Sequence, residues 1–227
     1  IAPHRKSAMT HLHLLIAMTH YQPIAPAGTI GERLAELILI LTTTATRLRE
    51  GAPTEVHAAN WRPARPADGH RVSYGHIAEI AWWAPAAAQA AGLAPAMVAS
   101  HSISLLDKLV DDALDPDDGG VFHEGPIAGK ADRRTKVWWV QVEALRAFAE
   151  WHRWSDDLRF ASAFLDILRW IENRQVVGPA GDLHHRIEPD GRSAGARAGA
   201  WKCPYHQVVG LLGAIRMMYA DSQPFVA

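Results

Sequence analysis

Four short stretches hold most of the side chains that could transfer protons or bind a flat polar ligand. They are residues 9–13 (MTHLH), 73–79 (SYGHIAE), 136–143 (KVWWVQVE) and 201–206 (WKCPYH). Histidine is the side chain whose unperturbed pKa lies closest to neutral pH, so it can accept and donate protons there. Tryptophan offers a flat apolar face, which suits the C–H side of a sugar ring. The 13 histidines and nine tryptophans are many for a chain of 227 residues.

Two histidines stand where helical geometry would favour a role as a base. His76 and Glu79 are three residues apart, so on a helix they project from one face, where a carboxylate can hold an imidazole in one tautomer. His206 follows Pro204, a residue that suits the first turn of a helix, where the helix dipole disfavours a charged imidazole. Standing alone, a His–Glu pair at this spacing is more typical of a helix surface.

The sequence does not predict a metal site. His76 with Glu79, and the neighbours His184 and His185, are potential ligands, but the HExxH pattern is absent and no third ligand has a diagnostic spacing. Residues 115–120 (DPDDGG) resemble the start of a calcium loop, but the twelfth position falls on Pro126 instead of a bidentate glutamate. We expect neither a metal nor another cofactor.

The composition indicates a soluble globular protein of the cytoplasm. The formal net charge is −1 and 48% of the residues are hydrophobic, which argues against a nucleic-acid partner or an anionic membrane surface. The single cysteine, Cys203, excludes an internal disulfide and fits a reducing compartment. No apolar run reaches the roughly 18 residues of a membrane span. Polar residues interrupt the first twenty residues, so they lack the continuous apolar region of a signal peptide.

Apolar residues recur at helical spacing along most of the chain, so the sequence predicts an all-α protein. The expected helices cover about residues 7–21, 31–49, 74–91, 94–113, 135–151, a further helix capped by Ser155 or Asp156, and 204–220. Short strands are expected only around 181–187. Three loops, 51–72, 115–134 and 176–201, are long for helix connections, and long loops on a helical scaffold usually carry function.

Taken together and in order, the four stretches resemble the family of N-acylglucosamine 2-epimerases and cellobiose 2-epimerases. Its members carry Asn-Thr-His-Leu-His, Ser-Tyr-Gly-His-Asp-Ile-Glu, Trp-Trp-Val-Gln-x-Glu and Trp-Lys-x-x-Tyr-His, and the last two patterns are intact here. The family fold is an (α/α)6 toroid of twelve helices. The resemblance therefore implies a partial (α/α)6 toroid, roughly the last seven helices of the barrel, in a single N-terminally truncated domain over residues 1–227.

The resemblance also implies a reaction, in which a proton leaves C2 of an aldose through an enediolate and returns to the opposite face. Two bases on opposite sides of the carbon explain the inversion. His206 and His76 would be these bases, and Glu79 would orient or charge His76. The other residues that the resemblance assigns to substrate binding are His13, Trp138, Trp139 and Trp201.

Several alternatives stay open at this point. A single histidine moving the proton between C2 and C1 would make the protein an aldose–ketose isomerase. An (α/α)6 glycoside hydrolase would need two carboxylates, such as Glu79 and Glu124, and a non-catalytic carbohydrate-binding scaffold would need no histidines. Met9 and Ile77 stand where the family has Asn and Asp, so the sugar stays undefined. Because half a toroid would expose helix faces, we expect the chain to be weakly stable alone or to associate, for example as a homodimer.

Overall fold

The computed structural model describes residues 4–26, 28–46, 51–62, 64 and 71–219. The predicted helix end at residues 47–49 and residue 220 lie outside this range. Seven α-helices lie in the described residues: α1 (Ala8–Tyr21), α2 (Gly31–Leu39), α3 (Tyr74–Ala90), α4 (Ala96–Lys108), α5 (Trp138–Ser155), α6 (Leu158–Trp170) and α7 (Pro204–Tyr219). The all-α prediction is confirmed, and each expected helix is present.

The helices form two layers. Helices α1, α3, α5 and α7 pack side by side as an inner row, while α2, α4 and α6 pack against the outside of that row. Nearly every residue of α3 is buried, since this helix is covered by α1, α5, α2 and α4. The row is an open arc and does not close into a barrel within the described residues.

Each outer helix ends in the same way. The α-helical hydrogen bonds of α2, α4 and α6 give way to five-residue π-helical turns, at Ile40–Thr44, Leu109–Ala113 and Ile171–Gln175. A long loop follows each turn and leads to the next inner helix. None of the described helices has the length and the apolar character needed to cross a membrane.

Short strands lie directly before three of the inner helices, where the sequence predicted none. The part of the chain that the structure describes contains nine strands: β1 (Arg5–Ser7), β2 (Val56–Ala58), β3 (Arg71–Ser73), β4 (Glu124–Pro126), β5 (Lys136–Val137), β6 (Val176–Val177), β7 (Asp182–Leu183), β8 (Arg186–Ile187) and β9 (Ser193–Ala194). The pairs β1–β2, β3–β4 and β5–β8 are antiparallel, and each joins the strand before an inner helix to the loop that precedes the next one. The pairing therefore aligns the starts of the inner helices at one end of the arc.

The helix starts depend on local sequence. Ser7 and Ser73 are extended residues whose hydroxyls accept hydrogen bonds from backbone N–H groups in the first turns of α1 and α3, as expected of helix caps. Several predicted boundaries are wrong. The helix predicted over 31–49 ends with the π-helical turn at Thr44, and the helix predicted to end at residue 151 continues to Ser155. Helix α5 begins at Trp138, because the two residues before it belong to β5, and the cap of α6 is Asp157, because Asp156 has left-handed φ, 54°, at the end of α5.

Candidate active site

Three histidines and one tryptophan from the four inner helices meet at the end of the arc where those helices begin. The ring centroids of His13 on α1 and His76 on α3 lie 6.4 Å apart. The indole of Trp139 on α5 lies 5.1 Å from the His76 ring and 5.3 Å from the ring of His206 on α7. The structure thus brings the four predicted stretches together, with Trp139 between the two predicted bases.

A glycine permits the close approach of Trp139 to α3. A Cβ atom on Gly75 would clash with the six-membered ring of the Trp139 indole, so only glycine fits beside it. The neighbouring Ser73 caps the helix with its hydroxyl 3.5 Å from the backbone N–H of His76. The Ser-Tyr-Gly-His sequence therefore starts the helix, seats the indole and directs His76 into the cleft.

His206 is paired with a buried carboxylate. Its Nδ1 atom lies 2.8 Å from Oε1 of Glu143 on α5, and the other oxygen of this carboxylate accepts a hydrogen bond of 3.1 Å from Nε1 of Trp82. The side chain of Glu143 is 1% exposed. Because a carboxylate only accepts hydrogen bonds, Nδ1 of His206 carries a proton and Nε2 is the nitrogen left for chemistry.

His76 is also paired with a carboxylate, but not with the predicted one. Its Nδ1 atom lies 2.9 Å from Oε1 of Glu55, a residue in the loop before β2, whereas Glu79 was expected to orient it. Side chains of a helix tilt toward its N-terminus, so His76 in the first turn reaches toward the loop and away from the residue three positions later. The assignment of Glu79 as the partner of His76 is therefore corrected.

Glu79 lies on the other side of the site, near Glu143. Its side chain is 1% exposed and neither oxygen has a hydrogen-bond partner among the described residues. Burial first, and then the charges of Glu143 and Glu55, raise the pKa of Glu79 well above the ordinary value, which favours the protonated form of this carboxyl group. Ligand-type atoms of Glu79, Glu143 and His206 lie within 4.8 Å of one another, which is also the spacing of a cation site. The carboxylate of Glu143 already accepts hydrogen bonds from Trp82 and His206.

His13 and its neighbour His11 point in different directions, because residues two apart on a helix do not share a face. His11 bonds to the carbonyl of Ser7 and packs against Trp61, while His13 is exposed at the rim of the cleft. Desolvation by the surrounding protein lowers the pKa of His13. The charges of His76 and His206 lower this pKa further, and the charge of Glu143 opposes them. His13 is therefore a neutral imidazole near neutral pH.

The other two predicted tryptophans do not line the cleft as Trp139 does. Trp138 is 3% exposed and its ring packs against His185, 4.9 Å away, under the ammonium group of Lys202. It is a core residue, because successive residues of a helix point in different directions. Trp201 is 84% exposed in the loop before α7, so its ring faces solvent.

Three residues of the site were not predicted. Glu143 stands in one of the four stretches and lies four residues after Trp139, so helical spacing could have revealed it. His123 borders the site with its ring 6.5 Å from that of Trp139; desolvation and the charge of His76 lower its pKa against the opposing charge of Glu124. No feature of the sequence around Glu55 indicated a role in the site, because its partner His76 lies 21 residues away.

A separate cavity lies away from the histidines, between the ends of α4 and α6. Its volume is about 1100 Å³ and its lining includes Asp118, Arg134, Trp170 and Arg174. The charges there are paired with each other, as in the 2.9 Å contact between Arg174 and Asp118. We take the histidines as the candidate site because they combine proton-transfer groups with carboxylate partners.

Comparison with known proteins gives consistent matches. A sequence profile of the family described as N-acylglucosamine 2-epimerase (GlcNAc 2-epimerase) matches residues 2–210. The chain is 24% identical over 208 residues to cellobiose 2-epimerase of Bacteroides fragilis. The aligned region covers 90% of this chain and 52% of that protein. The structure of cellobiose 2-epimerase from Bacillus thermoamylovorans matches with a TM-score of 0.83 at 25% identity, over 92% of this chain and 53% of that one.

A D-mannose isomerase structure matches with a TM-score of 0.82 at 15% identity, over 95% of this chain and 57% of that one. At this identity the likeness shows the fold alone. The chain spans about half the length of the relatives it matches. The prediction of a partial (α/α)6 toroid is confirmed, since the described helices superpose on part of such folds.

Proposed function

Because the chain belongs to the N-acylglucosamine 2-epimerase family, we propose that its cleft inverts the configuration at C2 of an aldose. In the open-chain aldehyde, one histidine removes the C2 proton and an enediolate forms. A proton is then returned to C2 from the opposite face, which yields the epimer with no net change in oxidation state. His206 and His76 are the two bases in this proposal.

The pairing of both histidines beside one indole is the observation that supports the proposal best. His206 with Glu143 and His76 with Glu55 each form a His–carboxylate pair, at 2.8 and 2.9 Å. A paired carboxylate stabilises the imidazolium that forms when the ring accepts a proton, so each ring suits the role of a base. A carbohydrate-binding scaffold would have no use for two such pairs.

The remaining cleft residues have supporting roles in the proposal. His13, neutral and exposed at the rim, assists opening of the sugar ring, and Trp139 offers the aromatic surface that the sugar contacts. Glu79 acts as a neutral acid beside Glu143. Trp201 reaches the sugar only from the exposed edge of the cleft, and Trp138 supports the site from the core.

The substrate class is an aldose of the glucose and mannose, N-acylglucosamine or cellobiose type. The relatives that match with a sequence identity of 24% or more are cellobiose 2-epimerases, so cellobiose is the first sugar to test. We expect the protein to act in the cytoplasm, given its single cysteine.

Incubation with each sugar in D2O, followed by NMR at C1 and C2, tests the proposal. Epimerisation puts deuterium at C2 of the product and gives the C2 epimer, whereas aldose–ketose isomerisation gives a ketose. Cleavage of cellobiose would instead indicate a glycoside hydrolase. The absence of any change in the sugars would favour a non-catalytic carbohydrate-binding scaffold. His206→Ala should abolish the exchange, while His20→Ala, which removes a histidine from α1 outside the cleft, should not.

A further inference from the structure

Glu55 lies outside all four of the stretches that carry the family resemblance, yet its carboxylate contacts His76. We propose that Glu55 is the positioning residue of His76, holding the imidazole proton on Nδ1 so that Nε2 is directed at the substrate. The role in the reaction rests on the proposed function, while the effect on the tautomer of His76 does not.

Two hydrogen bonds converge on one oxygen of Glu55. Oε1 lies 2.9 Å from Nδ1 of His76 and 3.3 Å from the backbone N–H of Ser73. Ser73 is also the residue whose hydroxyl caps α3 at His76. The same short segment therefore fixes the backbone of His76 and the carboxylate that holds its ring.

The backbone of Glu55 is held on both sides. Its carbonyl accepts a hydrogen bond of 3.1 Å from Ala8 at the start of α1, and its N–H donates one of 3.4 Å to Arg71 in β3. Glu55 thus sits at the junction between the start of α1 and the strand that leads into α3. Because the backbone of Glu55 is already fixed, its carboxylate can hold the imidazole in one orientation.

The charge of Glu55 supports this assignment of the proton. Burial opposes ionisation of Glu55, but the charge and hydrogen bond of His76, together with the Ser73 amide, outweigh it, so that the pKa of Glu55 lies below its ordinary value. An ionised carboxylate can only accept hydrogen bonds. Nδ1 of His76 must therefore be the donor, which leaves Nε2 as the nitrogen that exchanges a proton with substrate.

The residue that helical spacing offers as partner does not compete for this role. Glu79 is buried, makes no hydrogen bond to His76 and lies on the Glu143 side of the site. Each of the two bases therefore has its own carboxylate from another segment, Glu55 for His76 and Glu143 for His206.

Long-range ¹H–¹⁵N NMR of the histidine rings tests the proposal without any need for turnover. At alkaline pH, where the imidazoles are neutral, the ring of His76, assigned by its loss in His76→Gln, should carry its proton on Nδ1. In Glu55→Ala the proton should move to Nε2, the site favoured in free histidine, while the exposed-site control Glu32→Gln should leave it in place. An unchanged Nδ1 proton in Glu55→Ala would overturn the proposal.

A double-mutant cycle separates positioning from a merely structural role. Glu55→Gln should slow C2 deuterium exchange by about 10–100-fold with little change in KM. The same substitution should cause no further loss in a His76→Gln background, because Glu55 then has no ring to act on. An equal loss in both backgrounds would contradict the assignment. If the unmodified protein exchanges no C2 proton, the proposed epimerase function fails, and the NMR result alone decides the role of Glu55.

Discussion

Nδ1 of His206 lies 2.8 Å from Oε1 of Glu143, and this contact joins the chemistry of the site to the packing of its helices. Glu143 belongs to α5 and His206 to α7, two helices that pack along their length. Trp82 of α3 donates to the other oxygen of the carboxylate. A shift of any of these three helices would therefore move the imidazole of His206 or its carboxylate partner.

Glu143→Gln should keep the shape of the site but lower the rate of C2 exchange by about 10–100-fold, because the amide has no charge to stabilise the imidazolium. Glu143→Ala should in addition reduce the free energy of unfolding by about 1–3 kcal/mol, since Trp82 would lose its buried acceptor. Deuterium exchange and urea unfolding measure the two effects. Glu188→Gln, on the β8–β9 hairpin, is the control, and equal exchange rates in it and Glu143→Gln would contradict the role given to the pair.

Gly210→Ala should displace α7 and with it His206, which lies one helical turn earlier. A Cβ atom at this position would lie 2.8 Å from the carbonyl oxygen of Val142 in α5, and backbone cannot move aside as a flexible side chain can. We expect a loss of about 1–3 kcal/mol in the free energy of unfolding together with slower exchange. Gly199→Ala is the matched control, because a Cβ there meets nothing within 4 Å. Stability equal to that of the control would show that α7 does not depend on the close approach.

Glu79→Gln should reduce the dependence of stability on pH. Burial and the charges of Glu143 and Glu55 raise the pKa of Glu79 above the ordinary glutamate value of 4.5, so the folded protein keeps a proton that the unfolded chain releases. The stabilisation is complete below that value and is lost as the pH rises to the folded pKa, at about 1.4 kcal/mol per pH unit. An amide does not titrate, so the variant lacks this contribution.

Chemical denaturation of both proteins at several pH values between about 5 and 8 measures this difference. Glu150, whose pKa burial also raises, contributes a slope of the same sign to both proteins, so the comparison removes it. Parallel curves for the two proteins would mean that Glu79 is ionised in the folded state.

The chain should associate through α7. Val208, Leu212 and Ile215 form an apolar row on this helix and are 50%, 48% and 50% exposed, and an exposed apolar row of this kind favours association. Leu212→Lys should shift the mass measured by light scattering toward the monomer. Leu39→Lys is the control, because Leu39 is 58% exposed on the outer helix α2. A monomer at all concentrations of the unmodified protein would show this expectation to be wrong.

The carboxylates proposed for the alternative hydrolase are poorly placed for that chemistry. Glu79 is buried without contact to solvent, and Glu124 bonds to Arg133 at 2.6 Å and lies 3.5 Å from Arg71. A glycoside hydrolase needs two accessible carboxyl groups on either side of the bond it cleaves. These contacts favour histidine chemistry over hydrolysis.

The helices were predictable because apolar residues recur at helical spacing within each continuous segment. Helices α1, α3 and α7 begin within one residue of their expected starts. The strands before the inner helices were not, because two or three residues are too few to show an alternation. Trp138 and Trp139 show the same limit within a helix, since neighbouring residues of identical type point to the core and to the cleft.

The sequence by itself determined which histidines stand at the starts of inner helices, because Ser73 and Pro204 begin helices locally and place His76 and His206 in first turns. Only the tertiary structure decided which carboxylates hold them. Glu55 is 21 residues from His76, and Glu143 is 63 residues from His206. A hydrogen bond requires two atoms within about 3 Å, and which atoms come that close depends on the segments that pack against a helix, not on the spacing of residues along it.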